Sequence, residues 1–544
     1  DFKKHFCGTH FFNPPRYLRL LEIIPTPNTS PDVVDFLMEY GDVFLGKTTV
    51  HCKDTPAFIA NRIGVFSIML IFNSMEKLGL TIDEIEALTG PIIGRPKSAT
   101  FRTADIVGID TLVKVAKGVA DNCPQDEARA IFNIPTWLEK MLANNWLGDK
   151  TGQGFFKKLK SEAGKEILTL NLQTLEYGAR NKPKFASLEA AKPIEDLKQR
   201  IQLLQASPDK AGDFYKAFHY GLFSYISHRI PEISDELYRV DDAMMAGFGW
   251  EIGAFESWDT LGVAKTVAAM KAAGHAVAPW VDTMLANGIT SFYKIENGKK
   301  LCYDVASGAY KQLPGGDAFL VLKNKADKLV WKNSACRLYD IGDGVAGFEW
   351  NSKMNSIGGE VLEGLNKAIS LSEEKFNGLV IANEGPNFSA GANVGMIFML
   401  AIEQEYDELD MAIRMFQNTM MRVRYSSIPV AVAPHALTLG GACEMSLHAD
   451  GGRLATKPYA SGGSYISKMG NFCKACEFDP KKRVGDDACP FTTLYWDFLD
   501  RHKETFVKNH RMSQQVNGLK RLSDLDELKH RAQEVLSGIE KGEI

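Results

Sequence analysis

The stretch Gly8-Thr9-His10-Phe11-Phe12-Asn13-Pro14 decides how the first part of this chain is read, together with Glu22, set in the apolar run Leu20-Leu21-Glu22-Ile23-Ile24. An imidazole titrates close to neutrality and is the usual side chain for moving a proton near pH 7. A carboxylate held in apolar surroundings can orient such an imidazole and stabilise its charged form. The same pattern also suits a histidine packed among aromatics in a core, and the residues alone leave both readings open. Around this stretch the pattern is that of an α/β unit. A strand near Phe6–Phe11 leads into a loop carrying His10. Thr29-Ser30-Pro31-Asp32 starts a helix, with hydroxyl caps, a first-turn proline and an acid. That helix runs to about Tyr40, where Gly41 stops it. Thr48–Cys52 is β-branched and reads as a further strand.

From Pro56 the pattern turns helical, and the helical region occurs twice. The first copy holds Asn61-Arg62-Ile63, an amphipathic run to Leu78, and Ala104-Asp105-Ile106-Val107-Gly108. The second holds Ser227-His228-Arg229-Ile230, Asp241-Asp242-Ala243-Met244 and Trp258-Asp259-Thr260-Leu261-Gly262. Residues 157–200 are polar and lysine-rich and read as a connecting segment. Residues 294–316, with Gly298, Gly308, Pro314, Gly315 and Gly316, read as a hairpin-rich linker. Beyond them Val345–Trp350, Leu379–Ala382 and Ile428–Ala433 read as strands, with a helix around Gly359–Leu371.

Composition narrows the class. The chain has 544 residues, 45% of them hydrophobic and 24% charged, with a net charge of −4. That is the profile of an ordinary globular protein of several domains, with no global basic field to draw nucleic acid. No apolar run reaches the roughly 20 residues needed to span a bilayer. The nine cysteines are odd in number and mostly scattered, which suits a reducing compartment. A cytoplasmic location is the expectation.

The segment from Gly8 to Arg62 resembles the 3-hydroxyacyl-CoA dehydrogenases of fatty-acid β-oxidation. The resemblance places His10 on the family's catalytic histidine, Glu22 on its paired acid and Asn61 on its active-site asparagine. Asn13 and Lys150 fall on positions associated with the nicotinamide cofactor, so NAD is the implied cofactor. Ala57 stands where the family usually has glycine. The family's glycine-rich phosphate loop, ribose acid and active-site serine would precede His10, where this chain has nine residues. The expectation is therefore the C-terminal part of a Rossmann-type NAD-binding domain (1–54), impaired in cofactor binding. A helical dehydrogenase C-terminal domain (55–156) and a second dehydrogenase-like repeat (201–293) follow, the repeat having a structural role. An acyl-CoA thioester is the implied substrate, with a thiolase or a second copy of the chain as partner.

Asn387-Phe388-Ser389-Ala390-Gly391-Ala392 and Gly440-Gly441-Ala442-Cys443-Glu444-Met445-Ser446 resemble the crotonase superfamily of enoyl-CoA hydratases and isomerases. Glycine-permitted turns of this kind donate two backbone N–H groups to an enolate oxygen. By resemblance the donors are those of Ala392 and Gly441, and Glu444 is one of two catalytic glutamates. A partial crotonase-like β/α domain is expected over 317–448; Tyr465 sits where the second glutamate would fall.

From about Ala449 the sequence resembles instead the C-terminal end of iron–sulfur photolyase-related proteins, flavoproteins of DNA repair. Asp450-Gly451-Gly452-Arg453-Leu454, Cys473-Lys474-Ala475-Cys476, Cys489-Pro490 and Leu494-Tyr495-Trp496-Asp497-Phe498 carry the likeness. Cys473, Cys476 and Cys489 match three of the family's four ligands to a 4Fe–4S cluster; unligated thiols are the other reading. The string Met445-Ser446-Leu447-His448-Ala449-Asp450 is similar in both families, and two unrelated coding sequences are expected to join there. The readings carried forward are a β-oxidation enzyme, a repair-type function held by 449–544, and a non-catalytic chimera.

Overall fold

The computed structural model describes residues 2–161, 164–316, 320–392, 394–450, 477–479, 482–507 and 513–541. The chain divides into two compact units, Asp1–Ala318 and Phe319–Ile544.

The first unit opens with a short helix α1 (Phe2–His5) and three strands: β1 (Cys7–Phe11), β2 (Leu20–Pro25) and, after α2 (Pro31–Glu39), β3 (Thr48–His51). β1 runs antiparallel to β2, and β2 runs parallel to β3. Leu20 to Ile24 are all buried, so β2 is the central strand, and its one charged residue, Glu22, lies inside with the rest. His10 lies on β1, not in a loop after it. Gly41 does not stop α2. The helix ends at Glu39 and passes into a π-helical turn, Tyr40–Phe44. A Cβ at Gly41 would lie 2.4 Å from the Thr49 methyl, so the glycine lets that turn close onto β3.

The same succession of elements then occurs twice. The first set is α3 (Ala60–Leu78), α4 (Ile82–Leu88), α5 (Phe101–Val107), α6 (Ile109–Asn122) and α7 (Thr136–Ala143), then β4 (Phe156–Ser161), β5 (Gly164–Leu170) and β6 (Tyr177–Ala179). Helices α8 (Ala186–Ala191) and α9 (Leu197–Ala206) lead to the second set. That set is α10 (Lys210–His228), α11 (Leu237–Phe248), α12 (Ala254–Leu261), α13 (Val263–Ala272) and α14 (Pro279–Ala286), then β7 (Tyr293–Glu296), β8 (Lys299–Asp304) and β9 (Ala309–Gln312). Equivalent aspartates mark the correspondence. Asp105 accepts the backbone N–H groups of Phe155 and Phe156, and Asp259 accepts those of Phe292 and Tyr293. Gly108 and Gly262 follow them with positive φ of 101° and 82°.

Residues 157–200 are not a bare connector: β4, β5 and β6 form a three-stranded antiparallel sheet that closes the first repeat. The hairpins expected in 294–316 are present, and they form the matching three-stranded sheet of the second repeat. Ser227 and His228 end α10, whereas Asn61 lies at the start of α3. The two 19-residue helices α3 and α10 pack together. Gly221 meets Leu70, and the Phe66 and Tyr225 rings stack 3.6 Å apart. One continuous apolar core runs from β2 and β3 through both repeats.

The second unit has a five-stranded sheet in the order β10 (Leu329–Lys332), β11 (Cys336–Gly342), β12 (Val345–Trp350), β13 (Gly378–Ile381), β14 (Val430–Val432). The first three strands are antiparallel and the last three parallel. Helix α15 (Gly359–Lys375) crosses between β12 and β13. Helices α16 (Val394–Ile402) and α17 (Tyr406–Arg424) intervene before β14, and α18 (Gly441–His448) follows it. Trp350, Phe348, Phe388, Ile369 and Ile381 form the centre of its core. Asp450 closes back on β14: its N–H donates to the Val430 carbonyl, and its carboxylate accepts from the Val430 N–H. Among the described residues beyond 476, α19 (Pro490–Arg501), α20 (Lys503–Phe506), α21 (Ser513–Leu519) and α22 (Leu525–Lys541) follow, with α21 and α22 packed on α19.

Candidate active sites

The first site is built by strand register. His10 on β1 lies directly opposite Glu22 on β2. The His10 Nδ1 and Glu22 Oε2 are 2.7 Å apart; the Glu22 side chain is 0% exposed and that of His10 33% exposed. The other carboxylate oxygen accepts the backbone N–H of Ala60 at 2.9 Å and of Ile59 at 3.2 Å, at the start of α3. A buried charge is tolerable only when its lone pairs are used, and both Glu22 oxygens are. A helix N-terminus also favours the negative form. When the Nδ1–H donates to the Glu22 carboxylate, Nε2 is left as the ring's acceptor.

Aromatic packing fixes the ring. The His10 ring lies 5.2 Å from Phe12 and 5.6 Å from Phe58, centroid to centroid. Phe12 in turn contacts Phe248 of α11, and a Cβ at Gly247 would strike Leu20. The second repeat therefore buttresses the His10 strand from behind, a role its lack of polar site residues had hidden. Ala57 and Phe58 both have positive φ, 64° and 49°. This explains the glycine usual at position 57 in the resembling family: the turn that delivers Ile59 and Ala60 to Glu22 uses left-handed backbone. Burial, and then the charge of Glu22, push the Cys52 thiol far up, so Cys52 stays protonated beside the carboxylate.

Asn61 is the next residue of α3 after Ala60, half-buried, and its side-chain amide makes no hydrogen bond among the described residues. The following Arg62 is fully buried and lashes the two repeats together. It donates to the Tyr225 hydroxyl, Asp126 and Glu232. Asn13 lies exposed in the turn after β1. Lys150 is not gathered to His10 by any described contact; its ammonium pairs with Asp110.

The second site is a largely apolar cavity of about 350 Å³ in the second unit. Ala392, Gly441 and Glu444 all line it, with Phe416, Ile413 and Leu362 among the apolar walls. Two turns are stitched together to make it: the Ser389 N–H donates to the Leu437 carbonyl and the Leu439 N–H to the Ser389 carbonyl. Gly391 has φ 89°, and a Cβ there would lie 2.8 Å from the Leu439 carbonyl oxygen. Gly441 opens α18, where a backbone N–H has no partner in its own helix, and a Cβ there would meet the Phe416 ring. Glu444 lies in the first turn of that helix, exposed and without a side-chain partner among the described residues.

Cys473, Cys476 and Tyr465 lie outside the described residues. Cys489 caps the N-terminus of α19 ahead of Pro490. Among the described residues no group of three His, Cys, Asp or Glu side chains could hold a metal ion. No helix among them is long and apolar enough to cross a membrane.

Comparison with known proteins gives the class. Residues 1–55 match the family model for the 3-hydroxyacyl-CoA dehydrogenase NAD-binding domain, and residues 58–158 match that for its C-terminal domain. The chain thus holds a Rossmann-type NAD-binding element and a helical dehydrogenase C-terminal domain, in a mixed α/β chain that is mostly helical. Over 461 residues, 84% of this chain, it is 42% identical to a probable 3-hydroxyacyl-CoA dehydrogenase of Bacillus subtilis (strain 168). It is 27% identical over 82% of its length to a protein of Rickettsia prowazekii (strain Madrid E) described as a fatty acid oxidation complex trifunctional enzyme. The chain spans 58% of the length of each of these two relatives. An 80-residue stretch, 15% of this chain and 16% of the relative, is 52% identical to a (6-4) photolyase of Agrobacterium fabrum.

A dinucleotide needs both a place for its nicotinamide and a glycine-rich strand-to-helix turn for its pyrophosphate. The His10–Glu22 pair suits the reacting end. The glycines of residues 1–55 do not make the second: Gly8 lies on β1 against Ile24, and Gly41 and Gly46 lie in and after the π-helical turn. The described residues of this segment fit the reacting end of NAD and not its phosphates.

Proposed function

We propose that this chain serves fatty-acid β-oxidation: oxidation of a 3-hydroxyacyl-CoA to the 3-ketoacyl-CoA at the His10 site, with NAD as the family-implied hydride acceptor. Hydration or isomerisation of an enoyl-CoA would occur at the Glu444 site. The observation that carries the reading is the His10–Glu22 bond, with the second Glu22 oxygen tied to the Ile59 and Ala60 amides. In the oxidation, His10 Nε2 takes the proton of the 3-hydroxyl. The imidazolium that results faces the Glu22 carboxylate, which the Ile59 and Ala60 amides keep from turning away. Asn61, one residue beyond the Ala60 amide, positions the thioester end of the substrate, while Asn13 and Lys150 address the nicotinamide cofactor. At the second site the N–H groups of Ala392 and Gly441 hold the thioester oxygen as it gains charge, and Glu444 handles the proton or the water.

The test mixes the purified chain with NAD and a 3-hydroxyacyl-CoA and follows NADH. NADH formation that disappears in His10→Gln supports the reading; turnover that survives this substitution unchanged removes it.

A second reading holds for the tail, favoured by the photolyase likeness over 80 residues. It is a photolyase-derived piece joined at Met445–Asp450, with Cys473, Cys476 and Cys489 as the remnant of a 4Fe–4S ligand set. Amplification from source DNA across the codons for Gly440 and Cys489 tests the join. A product of the expected length establishes it, and no product means that the two sequences are not contiguous. Iron and sulfide in the purified chain would support the cluster; an iron-free chain would sink it.

A further inference from the structure

A groove of about 580 Å³ in the first repeat lies outside both candidate sites. Its walls come from α4, α5, β4, β5 and the segment after β6. Six cationic side chains line it: Lys97, Arg102, Lys158, Arg180, Lys182 and Lys192. Two acids line it as well, but both are spent internally. Asp83 holds the Thr169 hydroxyl, the Arg180 guanidinium and the Asn181 N–H. Glu86 accepts the N–H groups of Thr100, Phe101 and Arg102, and its burial pushes its carboxyl up to about 7. Neighbouring acids compensate part of the rest: Asp149 holds Arg102 in a bidentate pair and stands 3.8 Å from Lys158, and Glu189 pairs with Lys192. Lys97 and Lys182 have no ionic partner among the described residues.

The groove also has an apolar surface. Phe156 lies in its floor under the Arg180 guanidinium, 5.1 Å from the ring centre, and Ile167 and Pro183 flank it. Free ammonium groups beside a planar guanidinium and an aromatic floor are the parts that recognise a phosphate-bearing base. The fold itself does not demand these cations. Counted from the equivalent Asp105 and Asp259, the positions of Lys97 and Arg102 are Glu251 and Glu256 in the second repeat. There Glu256 is bound by Lys198 and Lys300. The same architecture carries opposite charge at the two positions.

We propose that this groove binds a nucleoside di- or triphosphate, with its phosphates on Lys97, Lys182 and Arg102 and its base against Ile167 and the Arg180 guanidinium, which Phe156 backs from below. The inference is independent of the reaction proposed above. Isothermal titration of the full chain with ADP tests it, alongside inorganic pyrophosphate and adenosine. The double variant Lys97→Glu/Lys182→Glu should weaken ADP binding by at least about 10-fold, since two phosphate contacts become repulsive. Asp149→Asn, which releases Arg102 and Lys158, should tighten it several-fold. All three positions are surface residues, and unchanged melting curves will show that the variants remain folded. Pyrophosphate and adenosine should each bind more weakly than ADP. No heat with ADP at millimolar concentration overturns the proposal. So does ADP binding that is equal in the native chain and the double variant, and pyrophosphate binding as tightly as ADP overturns the nucleotide assignment.

Discussion

The two candidate sites place a carboxylate by opposite means. At the first, Glu22 sits mid-strand with no exposed surface, and its oxygens are consumed by His10, Ile59 and Ala60. At the second, Glu444 stands in the first turn of a helix, exposed, with an apolar cavity beside it. On the proposed reading the first carboxylate is fixed so that another group can do chemistry, and the second is left free to do it. Stability and activity are therefore coupled at Glu22 and separable at Glu444.

That difference can be broken one side at a time. His10→Gln should lower oxidation by about 10²–10⁴-fold and leave enoyl-CoA hydration unchanged, with Glu444→Gln doing the reverse. Parallel assays with the two thioesters read both arms. Next in size is the effect on stability. Glu22→Ala leaves a ring nitrogen and two helix-start amides without their acceptor, a loss of about 3–5 kcal/mol by analogy with breaking a buried charged pair. Glu444→Gln should cost under about 0.5 kcal/mol, as surface changes do. Urea unfolding of both variants compares the two directly.

The scaffolds carrying the sites should differ in pH response. In the first unit, burial pushes Asp241 up to about 7, and Asp105 and Asp259 up to about 6. A carboxyl whose folded pKa is raised binds its proton more tightly in the folded state. Its stabilising contribution is whole below pH about 4 and is lost as pH rises through 6 to 7. In the second unit, the Arg422 guanidinium holds Glu373 down to about 2, so its contribution is present above pH about 4.5 and lost as pH falls through 2. Thermal melts across pH should show Asp241→Asn flattening the neutral-side loss and Glu373→Gln flattening the acid-side one. The smallest expected effect lies in the turn before α3. Ala57→Gly removes a left-handed alanine and should gain under about 1 kcal/mol, with oxidation unchanged.

Much of this was legible in the sequence because the signals are local. An acid embedded in an apolar strand, twelve positions from a histidine, already implies a cross-strand pair once the strands are antiparallel. The glycine-bearing turns at Gly391 and Gly440 are local too, and both have positive φ. What the sequence hid is long-range. The Ile59 and Ala60 amides are backbone groups and carry no residue signature. Phe248 of the second repeat reaches the His10 strand through Phe12, nearly 240 positions away in the chain. The sheet within 157–200 was masked by lysines on its exposed faces, and the equivalent aspartates Asp105 and Asp259 show it to match the hairpins of 294–316. Gly41 misled for a related reason: glycine marks both a helix end and a close approach, and here the approach of Thr49 decides.

The central claim is that Glu22 holds His10 as the Nδ1–H tautomer, with Nε2 open to receive a proton. Nitrogen-15 NMR of the histidine rings at pH 8, with His10 assigned by the His10→Gln spectrum, tests it without cofactor or substrate. The account predicts a protonated Nδ1 and an unprotonated Nε2 for His10, and loss of that preference in Glu22→Gln. A His10 ring protonated at Nε2, or one whose tautomer does not respond to Glu22→Gln, would contradict it.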